Sequence, residues 1–540
     1  MKTLRLFVPT LLLGLSLNAQ AKVVVEFFSD RTVRILKESP EHQPQEGDNL
    51  SLVINASPSD KIATIKHKGT ITQYVTSKLI IHVDEANDQV TFIDRKTGQT
   101  LLEEGKHTFS PITTGPDKGR FKVLQSWKLE ADEPLYGIGM LQNGKMNQRG
   151  ENRLMIQTNL EDFANVFQSI KGYGIYWDNY SPTQLTDDDP QAGLSLESQV
   201  GTKVDYYFMY GGSADGVIKE MRALSGQVPM LPLWTYGFHQ SRERYKSSKE
   251  LLEVVDTYQK TGVPLDGIIQ DWQYWGNNYL WNSMEFLNED FADYRHMISH
   301  VHDLGKHMSI SIWASFGPNT KGYRQLAEKN LLYSFQTWPM SGLSAWPPNM
   351  DYPSGVRCYD PYSATARQIY WQNLSRLHEA GIDAWWMDST DPDHLYWPDS
   401  DLDEVKAITD PATHKDFMGS WRSVRNAFPL ATVQGVYDAQ RAVDSTKRVF
   451  ILTRSYFAGQ QRTGAQTWSG DISSSWDSFR KQVPICLNYT LTANPMVNTD
   501  LGGFFANVYN MHSQDNSATR NPLYQELYVR WMPFGTFSTM

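Results

Sequence analysis

The chain has 540 residues, with 50 Lys and Arg against 60 Asp and Glu, and a formal net charge of -10. This length exceeds what one hydrophobic core usually organises, so we expect at least two domains. The negative charge argues against a nucleic-acid partner, because binding to a phosphate backbone relies on clustered Lys and Arg.

The first 21 residues have the pattern of a signal peptide. Lys2 and Arg5 precede an apolar run that is too short to span a bilayer stably, and the AQA sequence at 19–21 forms a cleavage site. We therefore expect a secreted or periplasmic chain that begins at Lys22. No later stretch is apolar enough to span a membrane, so no membrane association is expected after cleavage.

Residues 22–228 are predicted to form an antiparallel β-sandwich. Short β-rich runs alternate with turn residues, as in VVVEFF, SLVIN, KLIIHVD, QVTFIDRKTGQTLLEE, YGIYWDN and VDYYFMY. Runs this short, punctuated by Lys-Thr-Gly and Gly-Gly, are typical of such a domain. A helix near 214–224 and the Pro-rich PMLPLW segment indicate the passage to a different domain.

Residues 229–540 are predicted to form a (β/α)8-type barrel of which seven strands are present, which makes the fold class α/β. A capping box at Ser247 and Glu250 begins the first helical pattern, and further helical patterns alternate with short strands. The seven strand candidates are TYGFHQS, GIIQD, HMSISIWASF, DAWWMDS, RVFILTR, AQTWSGD and NPMVNTD. Strands separated by helices are the signature of a parallel barrel.

Charged side chains follow five of these strands, namely Asp271, Asp388, Arg454, Asp471 and Asp500. The carboxyl ends of barrel strands converge on one pocket. A single Asp after a strand is more often a helix N-cap than a catalyst. Five charged groups at successive strand ends, interleaved with Trp, instead indicate a functional site.

Two of these carboxyl groups have the chemistry needed to cleave a glycosidic bond. In a retaining enzyme one attacks the anomeric carbon and the other protonates the departing oxygen, with the two about 5 to 5.5 Å apart. We expect Asp471 to hold its proton, because the Asp388 charge and apolar walls such as Trp468 should raise its pKa. Asp388 should stay ionised beside Arg454.

Neither a disulfide framework nor a metal centre is predicted. Cys358 and Cys486 are the two cysteines of the chain, and their wide separation favours two buried thiols over a bridge. The 13 His residues include neither an H-E-x-x-H motif nor a close pair at strand ends. We therefore expect no catalytic metal and no cofactor.

Several segments together resemble glycoside hydrolase family 31. AWWMDSTDPDH is similar to the family's nucleophile segment, and RVFILTRSYFAGQQRTGAQTWSGD is similar to its acid/base segment. GFHQSRERY, IIQDWQYWG, SIWASFG and NTDLGGFF occur in the family's order, and YGIGMLQNG and GYGIYWDN resemble its preceding β-domain. The motifs look closest to the α-xylosidase branch, whose members remove non-reducing-end α-xylosyl units from xyloglucan oligosaccharides.

The resemblance implies a role for each matching residue. Asp388 corresponds to the nucleophile and Asp471 to the general acid/base. The implied substrate-binding residues are Asp271, Trp272, Trp313, Trp386, Arg454, Trp468, Asp500 and Phe504. Bulk from Trp272 and Trp313 near C5 of the sugar would favour xylose over glucose, although one misfitting methylene or hydroxyl is worth only about 1 to 3 kcal/mol. For Trp386 and Trp313 the alternative is that they fill the barrel.

Two departures from the family pattern affect these expectations. Asp391 stands where the family usually has Glu, so a supporting hydrogen bond is expected to be lost or re-aimed. The sequence RWMPFGTFSTM ends where the family continues into an eighth strand and C-terminal β-domains. We therefore expect the chain to be a fragment of a longer product.

The sequence thus predicts a retaining exo-α-glycosidase that acts on xyloglucan-type oligosaccharides by double displacement. One alternative is an α-glucosidase of the same family. Another is a non-catalytic carbohydrate-binding fragment that retains the Trp platforms but has lost turnover.

Overall fold

A computed structural model describes residues 23–43, 51–188, 193–339, 354–392, 415–416, 418–512 and 517–540. The predicted signal peptide lies outside these residues. Within the described ranges no helix is long and apolar enough to cross a membrane. Antiparallel sheets come first along the chain and a parallel sheet follows, so the predicted fold class is confirmed.

Fifteen strands, which we number along the chain, build the N-terminal part of the described structure. They are β1 Val23–Phe27, β2 Thr32–Glu38, β3 Thr64–Lys68, β4 Ile71–Val75, β5 Leu79–Asp84, β6 Gln89–Asp94, β7 Thr100–Pro111, β8 Phe121–Lys128, β9 Leu135–Met140, β10 Asn152–Met155, β11 Asp162–Ser169, β12 Tyr173–Trp177, β13 Thr183–Thr186, β14 Leu194–Gly201 and β15 Lys203–Tyr210. One sheet has the order β1-β2-β15-β12-β11-β9, and the other has the order β10-β13-β14-β8-β7-β6-β5-β4-β3.

The two sheets pack against each other through their apolar faces. Alternate residues of β5 are buried, as expected for a strand with one face on a core. Phe92 of one sheet stacks on Phe208 of the other with ring centroids 3.9 Å apart. Buried side chains from both sheets form one continuous cluster. The predicted β-sandwich is therefore present.

The SLVIN segment does not form the strand predicted from its sequence. The Ser51 hydroxyl accepts a hydrogen bond from the Val53 N–H at 3.3 Å. Arg462 of the parallel-sheet domain donates to the carbonyl oxygens of Leu52 at 2.8 Å and Val53 at 3.0 Å. Val53 is fully buried in a cluster with side chains of that domain. Its apolar character is explained by packing between domains rather than by a sheet.

Within the described ranges, seven parallel strands form the sheet of the second domain, in chain order. They are β16 His239–Gln240, β17 Gly267–Gln270, β18 His307–Trp313, β21 Ala384–Asp388, β24 Ile451–Thr453, β25 Gln466–Trp468 and β26 Val497–Asn498. Two short antiparallel pairs lie between them, β19 Ser315–Phe316 with β20 Arg357–Cys358, and β22 Lys415–Asp416 with β23 Gly419–Ser420. Among the described residues β16 and β26 are the edges of the seven-stranded sheet.

Helices connect these strands and cover the sheet. They are α1 Ala214–Ser225, α2 Ser248–Thr261, α3 Tyr294–Asp303, α4 Lys321–Ala327, α5 Ala364–Glu379, α6 Trp421–Val424, α7 Phe428–Val443, α8 Trp476–Thr490 and α9 Pro522–Gly535. The Ser247 hydroxyl accepts from the Glu250 N–H at 3.1 Å, which confirms the predicted start of α2. The Glu250 carboxylate caps the Lys246 N–H at 2.7 Å rather than that of Ser247. In a standard capping box this carboxylate would accept from the N–H of the N-cap residue, Ser247, whereas here it accepts from the residue before it.

Cys358 and Cys486 are both buried, and within the described part of the chain they form no disulfide. Burial raises the pKa of the Cys486 thiol to about 12. The prediction of two buried thiols is confirmed.

Candidate active site

Four aspartates and one arginine meet at the carboxyl ends of the parallel strands. Asp388 is the last residue of β21, and Asp271, Arg454, Asp471 and Asp500 follow β17, β24, β25 and β26 within three residues. Burial and then the charge of Asp388 raise the pKa of Asp271, and Asp500 lies within reach of the charges of both Asp471 and Asp388. The structure therefore brings together the five charged residues predicted from the sequence.

Arg454 lies at the centre of this cluster. Its Nη1 is 3.1 Å from Asp388 Oδ1 and 4.0 Å from Asp471 Oδ2, so these two oxygens are no more than about 7 Å apart. Its Nε and Nη2 bind the two oxygens of Asp391 at 2.8 and 3.1 Å. This two-point contact fixes the plane of the guanidinium. Asp391, despite its shorter side chain, supplies a bidentate partner for Arg454, which was not predicted.

The carboxylates of Asp271 and Asp388 are each oriented by a hydrogen bond from the backbone of the following residue. In each case the N–H of the next residue, Trp272 or Ser389, donates to Oδ1 at 2.7 Å. Ser389 has a φ of 50°, in the left-handed region that is sparsely populated outside glycine. Such strained residues cluster at functional sites, where the surrounding structure holds them. The turn after β21 therefore fixes the direction of the Asp388 carboxylate.

Asp471 is held by the β-sandwich domain. The Asn159 side-chain amide donates to Asp471 Oδ2 at 2.7 Å, and Asn159 Oδ1 accepts from the Asp471 N–H at 2.9 Å. No sequence pattern indicates this contact, because the two residues are 312 positions apart.

Burial raises the pKa of every carboxyl group in the cluster. The pKa of Asp388 reaches about 7, because burial and the charges of Asp471 and Asp391 outweigh the attraction of Arg454. That of Asp500 reaches about 8, through burial and then the charges of Asp471 and Asp388. Burial also raises the pKa of Asp471, against the opposing effects of Arg454 and Asn159. Arg454 alone does not keep Asp388 fully ionised, because burial raises the pKa of Asp388 by more than the Arg454 charge lowers it.

The contacts of Arg454 nevertheless distinguish the two central aspartates. Asp388 forms the closer ion pair, at 3.1 Å, and also accepts the Ser389 N–H. Asp471 lies 4.0 Å from the same guanidinium. When one proton is shared between them, the shorter ion pair favours its residence on Asp471.

Tryptophans line two sides of the cluster. Trp386 and Trp468 contact each other at 4.7 Å between ring centroids and lie with Ile269 and Leu452 on the sheet face opposite the helices. Trp386 is therefore part of the barrel filling, which was the alternative interpretation of the sequence. This packing is compatible with a place beside the sugar.

A second aromatic group begins at Trp272, directly after Asp271. Trp281 contacts Trp272 at 5.5 Å and Trp313 at 4.8 Å, and Trp338 stacks on Trp313 at 5.4 Å. Trp313 pairs with Asp388 in the strand register. Trp281 and Trp338 were not predicted, because both lie in loops without a recognisable pattern.

Phe504 has its backbone next to the Asp471 segment, while its side chain packs on another phenylalanine. Its side chain is 39% exposed, and its ring packs on Phe505 at 4.9 Å. Its N–H donates to the Ile472 carbonyl at 2.9 Å, which places its backbone beside the Asp471 segment.

Two surface cavities, of about 520 Å³ near Arg422 and about 750 Å³ near Trp476, lie elsewhere on the protein. None of the carboxylates in the cluster lines either cavity.

A parallel barrel sheet with two partly buried aspartates about one buried arginine, preceded by a β-sandwich, is an architecture suited to carboxylate-based glycoside hydrolysis. Residues 228–540 match the family 31 glycosyl hydrolase TIM-barrel domain. Residues 22–185 match the family 31 N-terminal galactose mutarotase-like domain. The chain belongs to glycoside hydrolase family 31.

Several relatives agree with this assignment. An α-xylosidase of Saccharolobus solfataricus is 32% identical across 95% of this chain, which spans 65% of that protein's length. An α-glucosidase 2 of Bacillus thermoamyloliquefaciens is 26% identical, with 82% of this chain and 53% of that protein covered. The crystal structure of a family 31 α-xylosidase from Xanthomonas citri superposes with a TM-score of 0.82 and 27% identity, covering 96% of this chain and 70% of the other.

Proposed function

We propose that the protein is a retaining exo-α-glycosidase that removes α-xylosyl units from the non-reducing ends of xyloglucan-type oligosaccharides. The observation that carries this proposal is the placement of Asp388 and Asp471 on one Arg454 nitrogen, at 3.1 and 4.0 Å. Their facing oxygens are separated by no more than about 7 Å. The carboxyl groups of inverting enzymes are roughly 6.5–9.5 Å apart, so most of that range is excluded here.

In the proposed reaction Asp388 attacks the anomeric carbon while Asp471 gives its proton to the departing glycosidic oxygen. A covalent xylosyl ester on Asp388 results, and the aglycone leaves as an alcohol. Asp471, now a carboxylate, takes a proton from a water molecule that attacks the same carbon from the face the aglycone left. Asp388 is released and Asp471 is protonated again, so the anomeric configuration is retained.

The preference for xylose rests on the aromatic group beside Asp271. Trp272 and Trp313 are 4% and 3% exposed and are held in place by Trp281 and Trp338, so neither can move aside without disturbing the others. A rigid wall of this kind disfavours a sugar with an additional hydroxymethyl group. The α-xylosidase relative supports the same choice, and the α-glucosidase relative makes glucose the second candidate.

Hydrolysis of 4-nitrophenyl α-xyloside and 4-nitrophenyl α-glucoside, measured side by side, tests the substrate. We expect a higher kcat/KM for the xyloside. A clear preference for the glucoside would identify the protein as an α-glucosidase with the same mechanism. Binding of xylosides without any hydrolysis would instead favour a carbohydrate-binding protein.

Proton NMR of the first sugar released tests the mechanism. A retaining reaction gives α-xylose before mutarotation, and appearance of β-xylose first would exclude double displacement. Asp388→Ala should be inactive, and added azide should restore turnover by forming β-xylosyl azide, as expected when a nucleophile is missing.

We also propose that the chain is exported and that residues 1–21 are removed as a signal peptide. The basic start, apolar run and AQA site support this. N-terminal sequencing of the protein recovered from its host should begin at Lys22, and an intact Met1 on exported protein would refute it.

A further inference from the structure

A turn of the β-sandwich domain, residues 157–162, extends to the candidate active site and contacts Asp471. The Gln157 side-chain amide donates to the carbonyl oxygens of Asn426 and Tyr456, both at 3.0 Å. The Thr158 hydroxyl accepts from the Glu161 N–H at 2.9 Å and closes the turn. The turn is therefore fixed internally and attached to the parallel-sheet domain.

Asn159 lies at the tip of this turn and binds Asp471 at two points. Its amide nitrogen donates to Asp471 Oδ2 at 2.7 Å, and its amide oxygen accepts from the Asp471 N–H at 2.9 Å. Gly470, with a φ of 78°, has no room for a side chain, because an added Cβ would collide with the Asn159 carbonyl oxygen. A third link, in which the Ser455 hydroxyl donates to Asp162, joins the same two domains.

We propose that Asn159 is a positioning residue for the general acid: it orients the Asp471 carboxyl group so that Oδ1 presents the proton to the glycosidic oxygen. This inference rests on the proposed function. Both the Asn159 amide and the nearest Arg454 nitrogen lie toward Oδ2. A proton on Oδ2 would oppose the Asn159 donor at 2.7 Å and lie nearer the positive charge of Arg454, so Oδ1 carries the proton.

Asn159 also contributes more to the transition state than to the resting enzyme. As Asp471 gives up its proton, it becomes a carboxylate, and the hydrogen bond from the Asn159 amide becomes charge-assisted and stronger. Interactions that strengthen in the transition state raise the rate of the chemical step rather than the affinity for substrate. A merely structural contact between domains would have no such dependence on the leaving group.

The experiment compares two substrates that differ in their need for an acid. Phenyl α-xyloside has a poor leaving group that needs protonation, whereas α-xylosyl fluoride loses fluoride with little help from an acid. We expect Asn159→Ala to lower kcat/KM for the phenyl xyloside on the order of 10- to 100-fold, and that for the fluoride by less than about threefold. Most of the loss should appear in kcat.

Two further variants keep the result interpretable. Asn159→Asp has nearly the same shape and retains the acceptor for the Asp471 N–H, but it loses the donor and adds a like charge, so it should show the same selectivity for leaving groups. Asn143→Ala is the matched control, because Asn143 lies in a neighbouring loop of the same domain and its amide binds Gln148 instead. It should behave as the unmodified protein on both substrates.

An equal loss on both substrates, or no loss on either, would overturn the positioning role. The proposed function has its own test in Asp471→Ala, which should show the leaving-group selectivity in full. If Asp471→Ala is selective and Asn159→Ala is not, the proposal for Asn159 fails while the proposed function stands. If the unmodified protein hydrolyses neither substrate, both proposals fail.

Discussion

Replacing Asp388 with Asn should make the protein more stable at pH 8 while abolishing turnover. Asn has nearly the same shape, and its side-chain oxygen can still accept from the Ser389 N–H and from Arg454, which contact Asp388 at 2.7 and 3.1 Å. The change removes the negative charge of Asp388, so Asp388 and Asp471 can no longer both ionise beside Arg454.

The magnitude follows from the pKa of Asp388. The pKa of Asp388 is about 7 in the folded protein against an ordinary value of 3.8, and it describes loss of the proton that Asp388 shares with Asp471. Each factor of ten in acidity corresponds to about 1.36 kcal/mol, so complete ionisation of the pair costs the fold roughly 4 kcal/mol. Because the folded state binds this proton more tightly than the unfolded state, the cost is absent below about pH 4. It grows as the pH rises and is complete above about pH 7.

Unfolding by urea or heat at pH 5 and pH 8 measures the effect. Asp388→Asn should gain at most about 4 kcal/mol at pH 8 and less than about 2 kcal/mol at pH 5. Asp132→Asn, at an exposed position of the β-sandwich, serves as the control and should change little at either pH. A loss of stability at pH 8, or the same gain at both pH values, would show that ionisation of Asp388 does not oppose folding.

Two further substitutions test the surroundings of the carboxylates. Arg454→Lys keeps the charge but cannot bind Asp391 at two points and Asp388 at a third, so kcat/KM for an aryl xyloside should fall on the order of 100-fold. Activity within about threefold of the unmodified protein would contradict this. Trp313→Leu should open the wall and raise the glucoside to xyloside ratio of kcat/KM about 10-fold or more, whereas Trp371→Leu, on the outer helix α5, should leave the ratio unchanged. An unchanged ratio in Trp313→Leu would remove that residue from the sugar subsite.

Local patterns are enough to predict the order of the strands and the charged residues at their ends. Helical spacing and Gly punctuation separate α2 from β17, and the carboxyl ends of parallel strands share one edge, so the sequence alone places Asp271, Asp388 and Asp471 together. The strand prediction for SLVIN was wrong because an apolar run in a β-rich region is indistinguishable from a strand when its true partner, Arg462, lies about 400 residues away.

The supporting residues of the site could not be predicted for a related reason. The sequence around Asn159 predicts only a turn. The contact of Asn159 with Asp471 requires that Gly470, in the other domain, lies against the Asn159 backbone. Trp281 and Trp338 come from loops, where side-chain direction has no period. Asp391 is recognisable from the sequence as a departure from the family pattern, but its bidentate contact with Arg454 joins residues 63 positions apart and has no sequence signal.

The charges around Arg454 connect the stability of the fold with its proposed chemistry. Asp388, Asp391 and Asp471 surround a single guanidinium, so three ionised carboxylates would leave two negative charges in excess, and one proton reduces that excess to one. A sugar in the transition state of glycoside cleavage develops positive charge at its anomeric carbon. That positive charge balances the negative charge of the site. It also lowers the pKa of Asp388 at the moment when Asp388 must act as an anion. Burial of the carboxylate is therefore unfavourable in the resting protein, and this unfavourable free energy is removed in the transition state. A difference of this kind between resting and transition states raises the rate of the chemical step rather than the affinity for substrate.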